Sequence, residues 1–353
     1  MISAWAPLML TSATAAMLAL PLVPAGMELI RRRDAAPLAA RKDDGNIHNF
    51  IVSFRRYIES AQPALASCTA RNSMEEVRLR DGQYALVVGV AGHCGEIDPN
   101  FPNPALFSRA VWLRDEQQFT KDVYAADVLH AGKHNVFRAV LGEKDIFLGK
   151  ENQVLRWIHA EGSVIAAAGS NLFGRLSAGK SICVSPGCRF ERAHAPIIFA
   201  GTDTQVPFAT PVPRNGTAAE ARKTPEKLGR SRIHGDVRLR SGDIFLGNII
   251  VTGAIQVEKD TQILGSAKAH GDIRLHDRAQ IEGAVVSNCS VHTGSNCYVK
   301  GPLLAEQEIY LGAGTRVGTP NSPTTVSAPR IRLASGCVIH GTVWARVEGR
   351  VEA

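Results

Sequence analysis

The chain has 353 residues and a formal net charge of +7, with 45% hydrophobic, 21% charged and only 6% aromatic residues. This length accommodates about two ordinary domains or one long repeat array. The body of the chain contains no dense block of Lys and Arg, which excludes the clustered basic surface of a nucleic-acid-binding protein. We therefore expect no nucleic-acid partner.

Residues 1–30 are predicted to form a transmembrane anchor. The segment from Ile2 to about Pro24 carries no charge and is long enough to cross a bilayer as a helix. Arg31, Arg32 and Arg33 follow it, and the positive-inside rule then places the C-terminal body in the cytoplasm. We predict a single-pass protein of the inner (cytoplasmic) membrane. The alternative is a signal peptide cleaved near Val23-Pro24-Ala25, with a periplasmic body.

Residues 31–75 are predicted to be a linker followed by a short amphipathic helix. The helix runs from Phe50 to about Leu65, and we expect it to cap one end of the repeat array that follows. Contact with a membrane surface is the alternative. The apolar side of this helix comprises Phe50, Ile51, Phe54, Tyr57 and Ile58.

Residues 231–353 contain an internal repeat of eighteen residues, subdivided into three units of six. Aliphatic residues recur at this spacing, and glycines recur between them. A helix cannot produce a period of six, whereas the local alternation of apolar and polar residues is typical of strands. We predict an all-β fold, a parallel β-helix (β-solenoid) with three short faces and about eighteen residues per coil. The predicted structural core includes Ile273, Leu275, Ile281, Val285, Ile309 and Leu311.

A first β-solenoid block is predicted over residues 76–200, and residues 201–230 are predicted to form a loop or linker before the second block at 231–353. The columns of the first block share the period of the second, although residues 76–125 are less regular. After residues 318–329 the repeat resumes four residues late, which predicts a loop that bulges from one corner. Two columns of the first block are Ile146, Val164 and Ile182, and Val136, Val154, Leu172 and Phe190.

The glycine-containing corners resemble those of the bactofilins, which are polymer-forming bacterial cytoskeletal proteins. Examples are Ile233-His-Gly235-Asp-Val237 and Ala269-His-Gly271-Asp-Ile273, and the resemblance covers residues 231–350 and, more loosely, 128–195. It implies a right-handed β-helix, nucleotide-free end-to-end polymerisation through apolar terminal coils, and membrane association through the N-terminus. It also implies a scaffold that localises cell-envelope proteins. We therefore expect a non-enzymatic homo-oligomer or filament without a cofactor.

Trp344 lies in the last predicted coil and is the candidate residue for an end-to-end contact. The alternative is that its indole simply covers the end of the core. This choice stays open at the level of the sequence.

We predict no catalytic, cofactor-binding or metal site, but two other functional classes share the solenoid pattern. A hexapeptide-repeat acyltransferase places Gly directly after the inward aliphatic residue, whereas here Gly follows two residues later. A secreted solenoid that binds polysaccharide would use outward carboxylates, although Asp at corners more often accepts backbone hydrogen bonds. The candidates are His234, His270, His276, His292 and His340 for the acyltransferase, and Asp236, Asp243, Asp272 and Asp277 for the polysaccharide-binding protein.

The seven cysteines are an odd number and form no CxxC pair. A structural zinc site normally has closely paired ligands. We therefore expect free thiols packed as small apolar residues, in a reducing compartment.

Overall fold

The computed structural model describes residues 5–23, 48–93, 100–201 and 229–352. The chain forms two compact units, Met1–Asn46 and Ile47–Ala353. The part of the predicted linker from residue 31 to residue 47 and nearly all of the predicted loop at 201–230 lie outside the described residues.

The first unit contains helix α1 (Trp5–Ala19), which is apolar and has no charged residue. At fifteen residues it is shorter than the roughly 20 residues that span the hydrocarbon core of a bilayer. Across the described segments, no helix combines the length and hydropathy of a membrane span. The predicted transmembrane helix is therefore not found.

Two helices joined by a 3₁₀ turn begin the second unit. They are α2 (His48–Ile58) and α3 (Gln62–Arg71), with the turn at Glu59–Ala61. Pro63 fits the first turn of α3, where a backbone donor is not needed. Asn72 ends α3 in the left-handed conformation (φ 50°), and its amide bonds the Cys68 carbonyl.

The first block is a β-solenoid that runs from β2 to β15, preceded by the hairpin strand β1. Its strands are β1 (Met74–Arg78), β2 (Tyr84–Val88), β3 (Gly92–His93), β4 (Asn100–Phe101), β5 (Ala105–Phe107), β6 (Val111–Leu113), β7 (Gln118–Ala125), β8 (Leu129–Ala131), β9 (Val136–Gly142), β10 (Ile146–Leu148), β11 (Gln153–Ala160), β12 (Val164–Ala166), β13 (Asn171–Ala178), β14 (Ser181–Val184) and β15 (Arg189–Ala200). From β2 onward these strands pair in parallel, coil upon coil, whereas β1 pairs antiparallel with β2.

The second block is a β-solenoid with three short strands in most coils. Its strands are β16 (Arg230–Ile233), β17 (Val237–Leu239), β18 (Ile244–Leu246), β19 (Asn248–Val251), β20 (Ile255–Val257), β21 (Gln262–Leu264), β22 (Ala267–Ala269), β23 (Ile273–Leu275), β24 (Gln280–Ile281), β25 (Val285–Ser287), β26 (Ser290–Thr293), β27 (Tyr298–Val299), β28 (Leu303–Ala305), β29 (Glu308–Leu311), β30 (Arg316–Val317), β31 (Thr324–Leu333) and β32 (Cys337–Val351). Both blocks together make about thirteen coils at a spacing of about eighteen residues.

The strand register confirms the predicted eighteen-residue coil. Ile255 pairs with Ile273, which pairs with Val291. Ile309 then pairs with Ile331, twenty-two residues later, so the predicted four-residue insertion is confirmed. The insertion forms a tight turn in which the backbones of Thr319 and Ser322 bond each other at 3.2 and 3.1 Å.

One predicted column of the first block is displaced by a residue. Val154 pairs with Phe137, not with Val136. Phe137 is fully buried and stacks on Phe119 with ring centroids 5.2 Å apart. The larger apolar ring takes the inward position, and a bulge after Val154 restores the period.

The core residues proposed from the repeat lie inside the second block. Their side chains are between 0 and 2% exposed: Ile273, Leu275, Ile281, Val285, Ile309 and Leu311. Each lies in a column of aliphatic side chains about 4.8 Å from its neighbours on adjacent coils. Stacking removes the shared apolar faces from water, which a single coil does not achieve.

Helices α2 and α3 do not cap the end of the solenoid, so that prediction is wrong. They lie along one side of the first block, where Phe54 meets Trp157 at 5.8 Å between ring centroids. Outward side chains on four successive coils of this side are apolar, and they are covered by the apolar face of the helices. The residues in this contact include Ile51, Phe54, Ile58, Leu65 and Cys68 from the helices, and Leu106, Tyr124, Leu141 and Trp157 from the solenoid.

Candidate functional site

The two blocks meet end to end through their last coils, in a contact that we call the joint. Strand β15 pairs antiparallel with β32, from Arg189 opposite Arg350 to Ala200 opposite Cys337. All solenoid pairs within each block are parallel, so the antiparallel pairing shows that the chain advances along the two blocks in opposite directions. The joint therefore makes one continuous hydrogen-bonded body from two solenoid ends.

Side chains of both blocks interlock across the joint. The Nδ1 atom of His194 lies 2.8 Å from the Thr342 hydroxyl, and the Nδ1 atom of His340 lies 2.9 Å from the Pro196 carbonyl. Phe190 lies opposite Gly349, and a Cβ atom at Gly349 would meet the Phe190 ring at 2.3 Å. These contacts join the last coils of the two blocks, and an exposed ion pair between Arg189 and Glu348, at 3.4 Å, lies beside them.

Trp344 lies in the joint, where it contacts the other block of the same chain. The Arg192 guanidinium stacks over its indole at 4.9 Å from the ring centroid, and the indole is 43% exposed. Trp344 is thus placed at an end-to-end contact within one molecule. A contact of Trp344 between molecules stays a prediction.

At the opposite end of the second block, no described strand lies beyond the first coil, and we call this end the open end. Strands β16, β17 and β18 each pair with one described strand only, on the following coil. A Cβ atom at Gly253 would meet the Gly235 carbonyl at 2.6 Å, whereas one at Gly235 itself would meet nothing within 4 Å. Half-buried apolar side chains face this end of the core: Ile233, Val237, Leu239 and Phe245.

The far end of the first block differs, because an extra strand lies on its edge. Strand β1 pairs antiparallel with β2 from Met74 opposite Val88 to Arg78 opposite Tyr84. Met74 also packs on the end of the core. Because β1 occupies the outer edge of β2, no further strand can pair with β2 on this face.

A lateral groove of about 800 Å³ separates helix α2 from the side of the first block. It follows the bulges in β7, β11 and β13, which interrupt the regular pleat and turn side chains out of it. Gly174 occupies such a bulge at φ +72°, where a Cβ atom would meet the Arg156 carbonyl at 2.0 Å, so only glycine fits. The lining includes Phe50, Tyr57, Asp81, Lys121, Asp122, Arg138, Leu155, Arg156, Trp157 and Arg175.

Cations outnumber carboxylates in the lateral groove. Arg138 pairs with Asp122 at 3.5 Å. Burial raises the pKa of Asp122, and the nearby Arg138 partly opposes that rise. Tyr57 is hydrogen-bonded to Asp81, and burial together with this carboxylate raises the pKa of Tyr57 to about 12. Each carboxylate of the groove therefore already has a partner.

Arg55 fastens helix α2 to the solenoid on the other side of the helix. Its guanidinium bonds Glu143 at 2.6 and 3.0 Å and Glu161 at 2.6 Å. The hydrogen bond from Arg55 lowers the pKa of Glu161. The two carboxylates lie on successive coils, so a single side chain ties the helix to both.

Replacing Arg55 by Met is expected to destabilise the helix contact by about 1 kcal/mol or less, because the guanidinium is 40% exposed and solvent screens the pair. Because the pKa of Glu161 is lower in the folded than in the unfolded chain, its stabilising effect is fully present above the unfolded-state pKa. The effect is lost as the pH falls through the folded-state pKa. The deficit of the variant should therefore shrink below about pH 4. Urea unfolding at pH 7 and pH 3.5 measures it. Arg56→Met, at an exposed position on the same helix, is the matched control, and an equal loss in both variants would contradict the assignment.

The residues considered for enzymatic alternatives do not form a shared site. The histidine candidates are distributed along several coils of the second block, and His340 belongs to the joint. The Oδ1 atoms of Asp236, Asp272 and Asp277 accept backbone amides from the next coil at 2.8, 3.1 and 2.7 Å. These carboxylates thus hold corners together. Within the described part of the chain, no group of three His, Cys, Asp or Glu residues is arranged to hold a metal ion.

The six described cysteines are free thiols, and five of them are buried. Burial raises the pKa of Cys188 and Cys297 to about 11 and that of Cys337 to about 12. These three thiols stay protonated at neutral pH and pack as small side chains, as predicted. Cys94 lies outside the described residues.

Comparison with known proteins gives no relative. No protein-family model, no curated protein and no solved structure matches the chain.

The lateral groove and the joint were not predicted from the sequence. The sequence does contain a signal for the groove. Basic residues recur at intervals of 17, 18 and 19 residues, which are close to the length of one coil: Lys121, Arg138, Arg156 and Arg175. No sequence signal identifies the joint. The pattern of inward aliphatic residues would be the same whether the last coils or the first coils of the two blocks were in contact.

Proposed function

We propose that this protein is a non-enzymatic structural scaffold, a bactofilin-like right-handed β-helix that associates end to end and localises cell-envelope proteins. The observation that carries this proposal is the joint. It is an end-to-end contact between two solenoid ends of this chain, made by antiparallel strand pairing from Arg189 to Ala200 of β15 with two interruptions of the register. The chain therefore already forms, within one molecule, the kind of strand pairing that end-to-end association between molecules needs.

The open end supplies the surface for association between molecules. Strands β16, β17 and β18 present unpaired backbone groups among the described strands, and unprotected edges of this kind pair with other chains. Two copies related by a two-fold axis bring the same edges together in antiparallel register, as in the joint. Because β1 protects one face of the other end, we expect a closed dimer.

A proline at the open edge tests this mode of association. The Val237 amide bonds the Ala254 carbonyl of the next coil at 2.9 Å, so the backbone amide of Arg238 points to the free side. Arg238→Pro removes that donor, and proline is tolerated on edge strands. Arg238→Ala is the matched control, because both variants lose the ion pair with Glu258 at 2.7 Å.

We expect dimers of the full chain and of Arg238→Ala, but monomers of Arg238→Pro, by analytical ultracentrifugation in non-ionic detergent. A monomeric wild-type chain would overturn the proposal, as would a dimer that the proline leaves intact. Discrete trimers would favour the acyltransferase alternative. The same proposal places the protein at the cytoplasmic face of the inner membrane, and recovery of the full chain in the soluble fraction of lysed cells would remove that part.

A further inference from the structure

The lateral groove is lined by four basic and two acidic side chains, so its cations outnumber its carboxylates. Lys121 and Arg156 contribute electrostatically at Asp122, whose closest ion pair is with Arg138. Arg175 stacks on the Phe50 ring at 4.9 Å from its centroid and has no carboxylate within ion-pair distance in the described segments. Within the described segments, Lys121, Arg156 and Arg175 therefore lie in the groove without an ion pair of their own, beside the half-buried Asp122.

These cations lie on consecutive coils along the solenoid axis. Lys121, Arg138, Arg156 and Arg175 belong to β7, β9, β11 and β13, which are successive neighbours on one side of the block. Adjacent coils are about 4.8 Å apart, so the row is roughly 14 Å long. An extended peptide of about four residues has the same length.

Apolar surface accompanies the charge. Phe50 is 42% and Leu155 is 49% exposed, and both line the groove. The next coil adds Phe173, which is 40% exposed and precedes Gly174 of the lining. The mouth of the groove thus offers contacts for apolar side chains as well as for carboxylates.

We propose that the lateral groove binds an extended acidic peptide segment, with interspersed apolar side chains, of a partner protein. This rests on the proposed scaffold function and names the chemistry of the client that the scaffold would hold. The carboxylates of the peptide pair with Lys121, Arg156 and Arg175, and its apolar side chains contact Phe50 and Leu155.

The groove favours a peptide over a polyphosphate or an acidic glycan. Asp81 and Asp122 lie among the cations, so a polymer with a charge on every unit would meet a carboxylate of the groove at close range. A peptide can place an uncharged or donor side chain there. Leu155 is aliphatic and complements apolar side chains, whereas Phe50 and Phe173 can also stack on sugar rings, so the discrimination rests on Asp81 and Asp122.

Binding of a defined probe tests the inference. The probe is a fluorescein-labelled peptide of three Glu-Leu-Glu-Phe repeats, measured by fluorescence anisotropy against the full chain. Arg156→Glu reverses an exposed groove charge and should weaken binding by about tenfold or more. Lys268→Glu, on an exposed face of the second block, is the matched control and should leave binding unchanged. A peptide with Lys in place of Glu should not bind.

Several outcomes would overturn the inference. These are the absence of binding, equal loss in Arg156→Glu and Lys268→Glu, and displacement by polyphosphate or polygalacturonate at lower concentrations than the unlabelled peptide. Circular dichroism melting of each variant verifies that it is folded. Sedimentation of the same samples separates the two proposals, because peptide binding by a monomer would contradict only the open-end association, and a dimer that does not bind the peptide would contradict only the groove.

Discussion

Replacing Ile281 by Asp is expected to unfold the second block. The Ile281 side chain is fully buried between Ile263 and Val299 of the adjacent coils. An aspartate there loses the apolar contacts and has no cation or backbone donor arranged for it, so the cost is about 4 kcal/mol or more. Each coil is stabilised by its neighbours, and the loss at one coil therefore propagates to those on both sides.

The neighbouring residue provides the control for this prediction. Gln280 lies in the same strand but faces outward and is exposed. Gln280→Asp should change the melting temperature by only a few degrees. Circular dichroism melting, with limited proteolysis to locate the unfolded segment, separates the two variants. An unchanged melting profile for Ile281→Asp would show that the aliphatic columns do not carry the fold.

Replacing Gly349 by Val is expected to break the packing of the joint. The added Cβ atom would lie 2.3 Å from the Phe190 ring, which is buried and only 3% exposed. Relieving the clash requires β32 to move away from β15, at a cost of about 1–3 kcal/mol. Hydrogen exchange of the β15 and β32 amides should report this directly, because these strands bond each other across the joint.

A double substitution distinguishes this contact from a general defect in β32. Phe190→Ala alone leaves a cavity and costs about 3–5 kcal/mol. In the Phe190→Ala, Gly349→Val pair the valine occupies part of that cavity, so the loss should be smaller than the sum of the single losses. Strictly additive losses would mean that the two residues do not share the joint.

The joint also explains why the molecule needs no cap on its last coils. The final coil of a solenoid leaves a row of backbone groups and apolar side chains without a neighbour. In this chain the two final coils cover each other, and Gly187 and Gly336 extend the contact by bonding the carbonyls of Val351 and Ala200 at 2.9 and 2.7 Å. Among the coil ends that the structure describes, only those of the first coils are left without a neighbouring coil.

The repeat in the sequence was sufficient to predict the coil, its three faces, and the four-residue insertion after Val317. These follow from local rules: a strand alternates its side chains, a corner needs a small residue, and stacked coils require the same column at the same interval. The one displaced column, Val136 and Phe137, failed because the choice between two adjacent apolar residues depends on which ring stacks on Phe119. The predicted membrane span is not found in the described segments, because helix α1 ends at Ala19 after fifteen residues.

Only the tertiary structure shows which surfaces of the two blocks are covered, and by which elements. Helices α2 and α3 cover the side of the first block because a stripe of outward apolar residues on several coils forms only once those coils are stacked. The joint arises because β15 and β32, far apart in the chain, end in complementary edges. The sequence by itself determined the repeating coil, since that depends on neighbours one period away. Contacts between whole blocks depend on the direction in which each block runs, and no periodic pattern encodes that direction.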